Sequence, residues 1–170
     1  MKITCDREKL LVAFQIAATV VPTRSPKPIL QNVKLETVEQ GGILMATDMD
    51  NGVRIDVPSL EVEVPGSVVL PVNRFGSILR ESSDEKLSLE ADSQYTVVRG
   101  AGSEFRLSAA NPDEFPNVAA FAEEKFIELP ARLLKQLIHR TVFAADTESS
   151  RYALGGVLLE IEADKVIGVA

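Results

Sequence analysis

The sequence predicts an α+β fold built from repeated β-α-β-β-β units. A shift of 65 residues aligns the segment "SVVLPVNRFGSILRE" with the first strand and helix of the chain, so that apolar residues align with apolar residues. A shift of 124 residues aligns Ile127–Ala170 with the start of the chain without a gap. Short apolar runs separated by glycine-containing and asparagine-containing turns predict that the remaining elements are antiparallel strands.

The first unit begins with a short strand, "KITC", and a helix that Asp6 can cap. Spacings of three and four residues define the apolar face of this helix. That face comprises Leu10, Ala13, Phe14, Ala17, Ala18 and Val21. The prolines of "VPTRSPKP" predict a loop. Strands "ILQNVKLETV", "GILMATD" and "GVRIDV" follow, with turns at Gly41-Gly42 and Asn51-Gly52, the latter with the positive φ angles of a tight hairpin.

The second unit repeats this order and continues into the strands "KLSLEA", "YTVVRG" and "EFRLSAA". Its strand and helix align with the first unit at five apolar positions. These are Val68 on Ile3, Leu70 on Cys5, Phe75 on Leu10, Ile78 on Ala13 and Leu79 on Phe14. The segment "ANPDEFPNVAAFAEE" then predicts an extended linker, because Pro112 and Pro116 prevent regular structure.

The longer repeat predicts a second module after this linker. Leu134 aligns with Leu10, Leu159 with Leu35, and Ala170 with Ala46. We therefore expect a complete first module at residues 1–120, and a linker plus an incomplete second module at 121–170, which holds a first strand, a helix and two strands. The chain is expected to be an N-terminal piece of a longer repeat protein.

Composition excludes several classes of function. The net charge is -7, which on average disfavours binding to nucleic acid but permits a local basic face. One Cys and one His cannot build a zinc cluster or a disulfide framework, and His139 has no nearby nucleophile. "TDMDNG" falls one residue short of a calcium loop, so a turn is predicted there. We predict no catalytic residue, metal or cofactor, and a soluble cytoplasmic protein, because the charged start is unlike a signal peptide.

Six stretches, in their order and spacing, resemble the bacterial DNA sliding clamp family, the beta subunits of DNA polymerase III. They are "MKITCDREKLL", "RSPKPILQNVKLE", "MATDMD", "LPVNRFGSILRE", "NPDEFPN" and "RYALGGVLLE". The resemblance implies the DNA-clamp fold, with helices on one side of antiparallel sheets. It also implies a non-catalytic processivity factor, a homodimeric ring of three-module chains that encircles double-stranded DNA without reading its sequence. Its implied partners are the replicative polymerase and the clamp loader.

The resemblance also implies roles for individual residues. The implied DNA contacts are Arg24, Asn73, Glu148, Arg151 and Tyr152. The implied ring interface comprises Arg74, Phe105 and Leu107, and Leu154 forms one wall of the implied partner pocket. This sequence departs from the family pattern at two of these positions, since the family often has an arginine at the position of Asn73 and a glutamine at that of Glu148.

Helix faces give mixed evidence for DNA contact. On the third predicted helix, Arg132, Lys135 and His139 share one flank, with Arg140 beside them. The outward face of the first helix is hardly basic, since it carries Glu8, Val12, Gln15 and Thr19, and the second offers Asn73, Ser77 and Arg80.

Three alternatives stay open at the sequence level. A eukaryotic-type clamp has chains of two modules, although the quoted stretches fit the bacterial pattern better. An acidic β-rich protein-interaction module without a DNA role is compatible with the net charge. An enzyme has only scattered carboxylates to support it.

Overall fold

The computed structural model describes residues 1–146 and 155–170. The chain divides into unit 1, Met1–Phe121, and unit 2, Ala122–Ala170. The elements of unit 1 are β1 (Lys2–Asp6), α1 (Arg7–Ala18), β2 (Asn32–Val38), β3 (Gly41–Thr47), β4 (Gly52–Val57), β5 (Leu60–Val64), β6 (Ser67–Pro71), α2 (Val72–Glu81), β7 (Lys86–Ala91), β8 (Tyr95–Arg99) and β9 (Glu104–Ser108). Those described in unit 2 are α3 (Ala131–Thr141), β10 (Leu158–Ile161) and β11 (Val166–Val169).

The two repeats of unit 1 interlock through their first strands. One antiparallel sheet has the order β4-β3-β2-β6 and the other has the order β5-β1-β7-β8-β9. Strand β1 of the first repeat therefore pairs with β7 of the second, and β6 of the second repeat pairs with β2 of the first. Neither repeat completes a sheet alone. The predicted α+β fold with antiparallel sheets is confirmed.

The core of unit 1 lies between the two helices and the inner faces of both sheets. The aromatic rings of Phe14 on α1 and Phe75 on α2 meet edge to face, with centroids 5.1 Å apart. All ten residues that the 65-residue shift aligns are at most 8% exposed. The apolar stripe of α1 is confirmed at Leu10, Ala13, Phe14 and Ala17, and the amide of Lys9 donates to the predicted cap, Asp6, over 3.0 Å.

The turn between β3 and β4 differs from the prediction. Positive φ angles were expected at Asn51-Gly52, but the residue with positive φ is Met49, at 87°. The carboxylate of Asp48 accepts hydrogen bonds from the amides of Asp50 and Asn51, so this side chain organises the turn earlier in the chain. Gly41 follows the β2–β3 turn with a φ of +108°, and a side chain there would clash with the carbonyl oxygen of Val57.

Three further expectations in unit 1 were wrong. Pro28–Gln31 forms a 3₁₀ turn instead of the start of a strand, because the side chain of Asn32 donates to the carbonyls of Pro28 and Ile29. Strand β5 was missed; it is an edge strand in which only Leu60 is buried. The linker is not extended throughout, because Pro112–Glu114 forms a 3₁₀ turn, and Phe115 and Val118 after it are buried against Met45 and Val69.

In unit 2 the hairpin of β10 and β11 agrees with the 124-residue repeat. Its register pairs Leu158 with Val169 and Ile161 with Val166. Subtracting 124 gives the β2–β3 pairs Lys34 with Met45 and Thr37 with Gly42. The strand predicted near Ile127 is absent from the described residues. In unit 1 the matching strand, β1, lies between β5 and β7, and the described part of unit 2 offers no such neighbours.

Candidate nucleic-acid interface

The loop between α1 and β2 carries Arg24 on a braced backbone. Prolines at 22, 26 and 28 restrict its φ angles. The side chain of Gln31 donates to the carbonyl of Thr23 over 3.1 Å, which ties the middle of the loop to its end. Arg24 is exposed between these restraints. The sequence therefore holds one exposed guanidinium on a loop that has little conformational freedom to lose on binding.

Sheet pairing brings the end of this loop beside the start of α2. Asn32, the first residue of β2, lies opposite Pro71, the last residue of β6. The loop that precedes β2 and the helix that follows β6 consequently meet. Together they line one surface depression, which we call the loop–helix depression. Its lining includes Val21, Pro22, Thr23, Pro28, Gln31, Asn32, Pro71, Val72, Asn73 and Arg74. The structure thus places Asn73 next to the Arg24 loop, which the sequence alone did not indicate.

Most cations on the sheets of unit 1 are paired with glutamates. The ion pairs of unit 1 that join or lie on strands are Lys2–Glu63 at 2.6 Å, Lys86–Glu61 at 2.7 Å, Lys34–Glu36 at 3.4 Å, and Arg99 with Glu90 and with Glu104 at 2.8 Å each. Side-chain hydrogen bonds to these glutamates raise the pKa of Lys2, Lys86 and Arg99. Positive charge is therefore compensated locally at four of the six cations on these strands; of the other two, Arg54 donates to the carbonyl of Val118 and Arg106 lies over the ring of Tyr95.

Cations on the helices and on the loop after α1 are mostly uncompensated. Within residues 1–146 and 155–170, Arg24, Lys27 and Arg74 form no ion pair. The same holds there for the exposed residues Arg132 and Lys135 of α3. Uncompensated positive charge thus collects on these elements.

The distribution of carboxylates explains this difference. Residues 9–35, 64–80 and 129–145 contain no Asp or Glu, although the chain has 25 such residues. These segments hold most of α1 with its loop, β6 with most of α2, and all of α3. They carry nine of the 18 Lys and Arg residues and therefore have a formal charge of +9. Because the net charge of the chain is -7, all other residues together carry −16. The sequence contains this signal, but helix-by-helix inspection of exposed faces did not reveal it.

The predicted ring-interface residues also come together. Arg74 on α2, with Phe105 and Leu107 on β9, lines a second depression between that helix and the edge strand of the five-stranded sheet. Phe105 is 38% exposed, whereas Leu107 is only 4% exposed and belongs to the core. Phe105 and Leu107 are two residues apart and therefore lie on the same face of β9, but Leu107 is covered by the core, so its side chain presents little surface to a partner.

The other predicted site residues are Glu148, Arg151, Tyr152 and Leu154, and they lie outside the described residues. Among the residues that the structure describes, no cluster of His, Cys, Asp and Glu could hold a metal ion. No helix in that part of the chain is long and apolar enough to cross a membrane.

The family model for the N-terminal domain of the DNA polymerase III beta subunit matches residues 1–119. The chain belongs to the DNA polymerase III beta subunit family. The resemblance inferred from the sequence is therefore confirmed.

Individual members of the family are similar over nearly the whole chain. The beta sliding clamp of Bacillus subtilis (strain 168) is 30% identical over 178 residues, covering 100% of this chain and 47% of that protein. The crystal structure of the DNA polymerase sliding clamp from Bacillus subtilis superposes with a TM-score of 0.92 at 29% identity, covering 99% of this chain and 46% of that chain. For the DNA polymerase III subunit beta from Pseudomonas aeruginosa the TM-score is 0.87 at 29% identity, covering 96% and 44%. The chain spans about half the length of the relatives it matches.

Proposed function

We propose that this chain acts within a DNA sliding clamp, a non-catalytic processivity factor that encircles double-stranded DNA and tethers the replicative polymerase. The observation that carries the proposal is the segregation of charge. Segments that hold most of α1 and α2 and all of α3 contain no carboxylate and half of the cations, while glutamates pair with four of the six cations on the strands of unit 1. An acidic protein that binds DNA through one set of elements needs such an arrangement.

The chemistry of these residues fits contact with phosphate rather than with bases. Lysine and arginine side chains on helix surfaces and on the loop between α1 and β2 are suited to contact backbone phosphates, and phosphate contacts carry no sequence information. A protein held only by such contacts can shift along the duplex, because each new position offers equivalent phosphates. Arg24 supplies charge on the loop beside the loop–helix depression, since its neighbour Thr23 lines that depression, and Asn73 supplies an uncharged amide that can donate to a phosphate oxygen.

The remaining members of the DNA site and the partner pocket are part of the same proposal. We assign DNA contact to Arg151 and Tyr152, and we include Glu148, three residues earlier in the sequence, in the same proposed site, where its negative charge would weaken contact. Leu154 is assigned to the pocket that receives the polymerase and the clamp loader. Such a protein would work in the bacterial cytoplasm, where the chromosome is replicated.

A homodimeric ring is proposed to close at strand β9. This strand is the edge of the five-stranded sheet, so its outer hydrogen-bonding groups have no strand partner within unit 1. Phe105 and Arg74 flank the depression beside that edge and offer an apolar and a charged contact. Leu107 supports the site from the core.

The function is tested by DNA binding of the protein expressed at the full length of its reading frame. Binding constants are measured on two duplexes of unrelated sequence over a series of salt concentrations. Replacing Arg24 by Ala should weaken both complexes equally and lower the salt slope by up to about one. The matched control is Arg99→Ala, since Arg99 is engaged by two glutamates on the sheet. Losses that depend on the duplex sequence would contradict a sliding clamp, and the absence of salt-dependent binding would favour the protein-interaction module.

A further inference from the structure

We propose that Lys27 is a second backbone-phosphate contact on the Arg24 loop, so that this loop engages the duplex through two cations. The inference rests on the proposed function and extends it to a residue that the sequence comparison did not single out. Four observations support it: the fixed backbone of Lys27, its lack of an ion-pair partner, the absence of nearby carboxylates in sequence, and its position beside the loop–helix depression.

The backbone of Lys27 is held on both sides. Its amide donates to the hydroxyl of Ser25 over 3.1 Å, and its carbonyl accepts from the amide of Leu30 over 3.1 Å. Pro26 and Pro28 flank it and restrict the chain further. Its side chain is exposed. The structure therefore presents an ammonium group on a flexible stem from a fixed point, and binding need order only the stem.

Lys27 differs from the other lysines of its carboxylate-free segment, residues 9–35. Lys9 lies 3.9 Å from the carboxylate of Asp6, and Lys34 lies 3.4 Å from that of Glu36. Within the described part of the chain, Lys27 has no such partner, and neither does Arg24. An exposed cation without a carboxylate partner exchanges only water and counterions when it binds a phosphate, so its contribution to DNA binding is not offset by a broken ion pair.

Arg24 and Lys27 lie on the loop that forms one side of the loop–helix depression, although their own side chains are not part of its lining. Thr23 and Pro28, the neighbours of Arg24 and Lys27, both line it, and Asn73 and Arg74 form its helical side. Asn73 adds no charge. Arg24 and Lys27 are three residues apart, a separation that spans at most about 10 Å of chain. Successive phosphates of one DNA strand rise by about 3.4 Å along the helix axis, so the two side chains can contact neighbouring phosphates of the same strand.

The test compares Lys27→Gln with Lys86→Gln in the protein expressed at the full length of its reading frame. Each variant removes one exposed lysine charge, but Lys86 is paired with Glu61 on the sheet. Affinity for two duplexes of unrelated sequence is measured by fluorescence anisotropy between 50 and 200 mM salt. Loss of one phosphate contact should lower the salt slope by about 0.9. The ratio of the binding constant of the unsubstituted protein to that of Lys27→Gln should therefore fall about 3.5-fold as the salt concentration rises from 50 to 200 mM. Lys86→Gln should leave the slope unchanged, and Lys27→Arg should restore it.

The outcomes separate this inference from the proposed function. If Arg24→Ala lowers the slope while Lys27→Gln behaves like Lys86→Gln, the second contact is wrong and the clamp function stands. If Lys27→Gln weakens one duplex more than the other, Lys27 reads bases and the inference is also wrong. If the unsubstituted protein shows no salt-dependent binding to either duplex, both proposals fail. Circular dichroism of each variant confirms that the fold is retained.

Discussion

Replacing Phe14 by Ala should destabilise unit 1 severely. The side chain is 2% exposed, and its aromatic ring packs edge to face against that of Phe75, with centroids 5.1 Å apart. Phe14 joins the helices of the two interlocked repeats, so neither helix can move into the vacated space without losing its own sheet contacts. A cavity is therefore expected to persist after the substitution.

The magnitude follows from the burial of this side chain. Removing a buried phenylalanine in favour of alanine typically costs about 3–5 kcal/mol, which includes the cavity left behind. The aromatic pair contributes about 0.5–1.5 kcal/mol beyond the buried area. Small domains have total stabilities of about 5–15 kcal/mol, so this change removes a large share of the free energy of unfolding.

Urea unfolding followed by circular dichroism measures the effect, with two matched variants. Val12→Ala lies on the same helix but on its exposed face, where Val12 is 59% exposed, and should cost less than about 0.5 kcal/mol. Phe14→Leu keeps an apolar side chain and should fall between the two. A loss below about 1 kcal/mol for Phe14→Ala, or an equal loss for Val12→Ala, would show that the core face of α1 is wrongly assigned.

Three further predictions concern the two units and the ring interface. Amide hydrogen exchange should be slower in the strands of unit 1, at Val33, Leu35, Leu87 and Leu89, than in unit 2, at Val157 and Ile167. The reason is that the four residues of unit 1 lie in its core, whereas no described residue of unit 2 is buried. Equal protection of the two units would contradict this prediction. Burial raises the pKa of the Cys5 thiol from 9.0 to about 12. The neutral thiol therefore stabilises the folded state below pH 9, and that stabilisation is lost as the pH rises towards 12. Cys5→Ala should make the free energy of unfolding fall less steeply with pH in this range. An unchanged dependence on pH would contradict the raised pKa of Cys5. Phe105→Ala in the protein expressed at full length should weaken the homodimer, as measured by analytical ultracentrifugation. The control is Val38→Ala, because Val38 is similarly exposed but lies on the other sheet, and this substitution should leave the homodimer unchanged. Equal effects of the two substitutions would place the interface elsewhere.

Much of the fold of unit 1 could be predicted because its pattern is local and repeated. Spacings of three and four residues identified the buried face of α1, and the 65-residue shift identified the same positions in α2. Strand β5 escaped because its sequence, "LEVEV", lies between prolines and buries only Leu60. The turn at Met49 was misplaced because the hydrogen bonds of the Asp48 side chain outweigh the usual preference of Asn-Gly.

The candidate DNA site was only partly predictable because it depends on strand order. Arg24 came from a resemblance to a family, and its proximity to the start of α2 follows from the pairing of Asn32 with Pro71. That pairing joins residues of two repeats and leaves no local signal. The compensation of cations on the sheet likewise depends on β1 lying beside β5, which brings Lys2 to Glu63. The carboxylate-free segments, in contrast, are visible in the sequence itself.

The charge arrangement is proposed to serve a ring that encloses DNA. The most direct measurement is retention of the protein, expressed at the full length of its reading frame and loaded by its clamp loader, on a nicked circular plasmid. A sliding clamp should stay on the circle through washing at moderate salt and should be released when one restriction cut linearises the plasmid. Equal loss from circular and linear DNA, or retention that depends on a particular sequence, would contradict the proposed function.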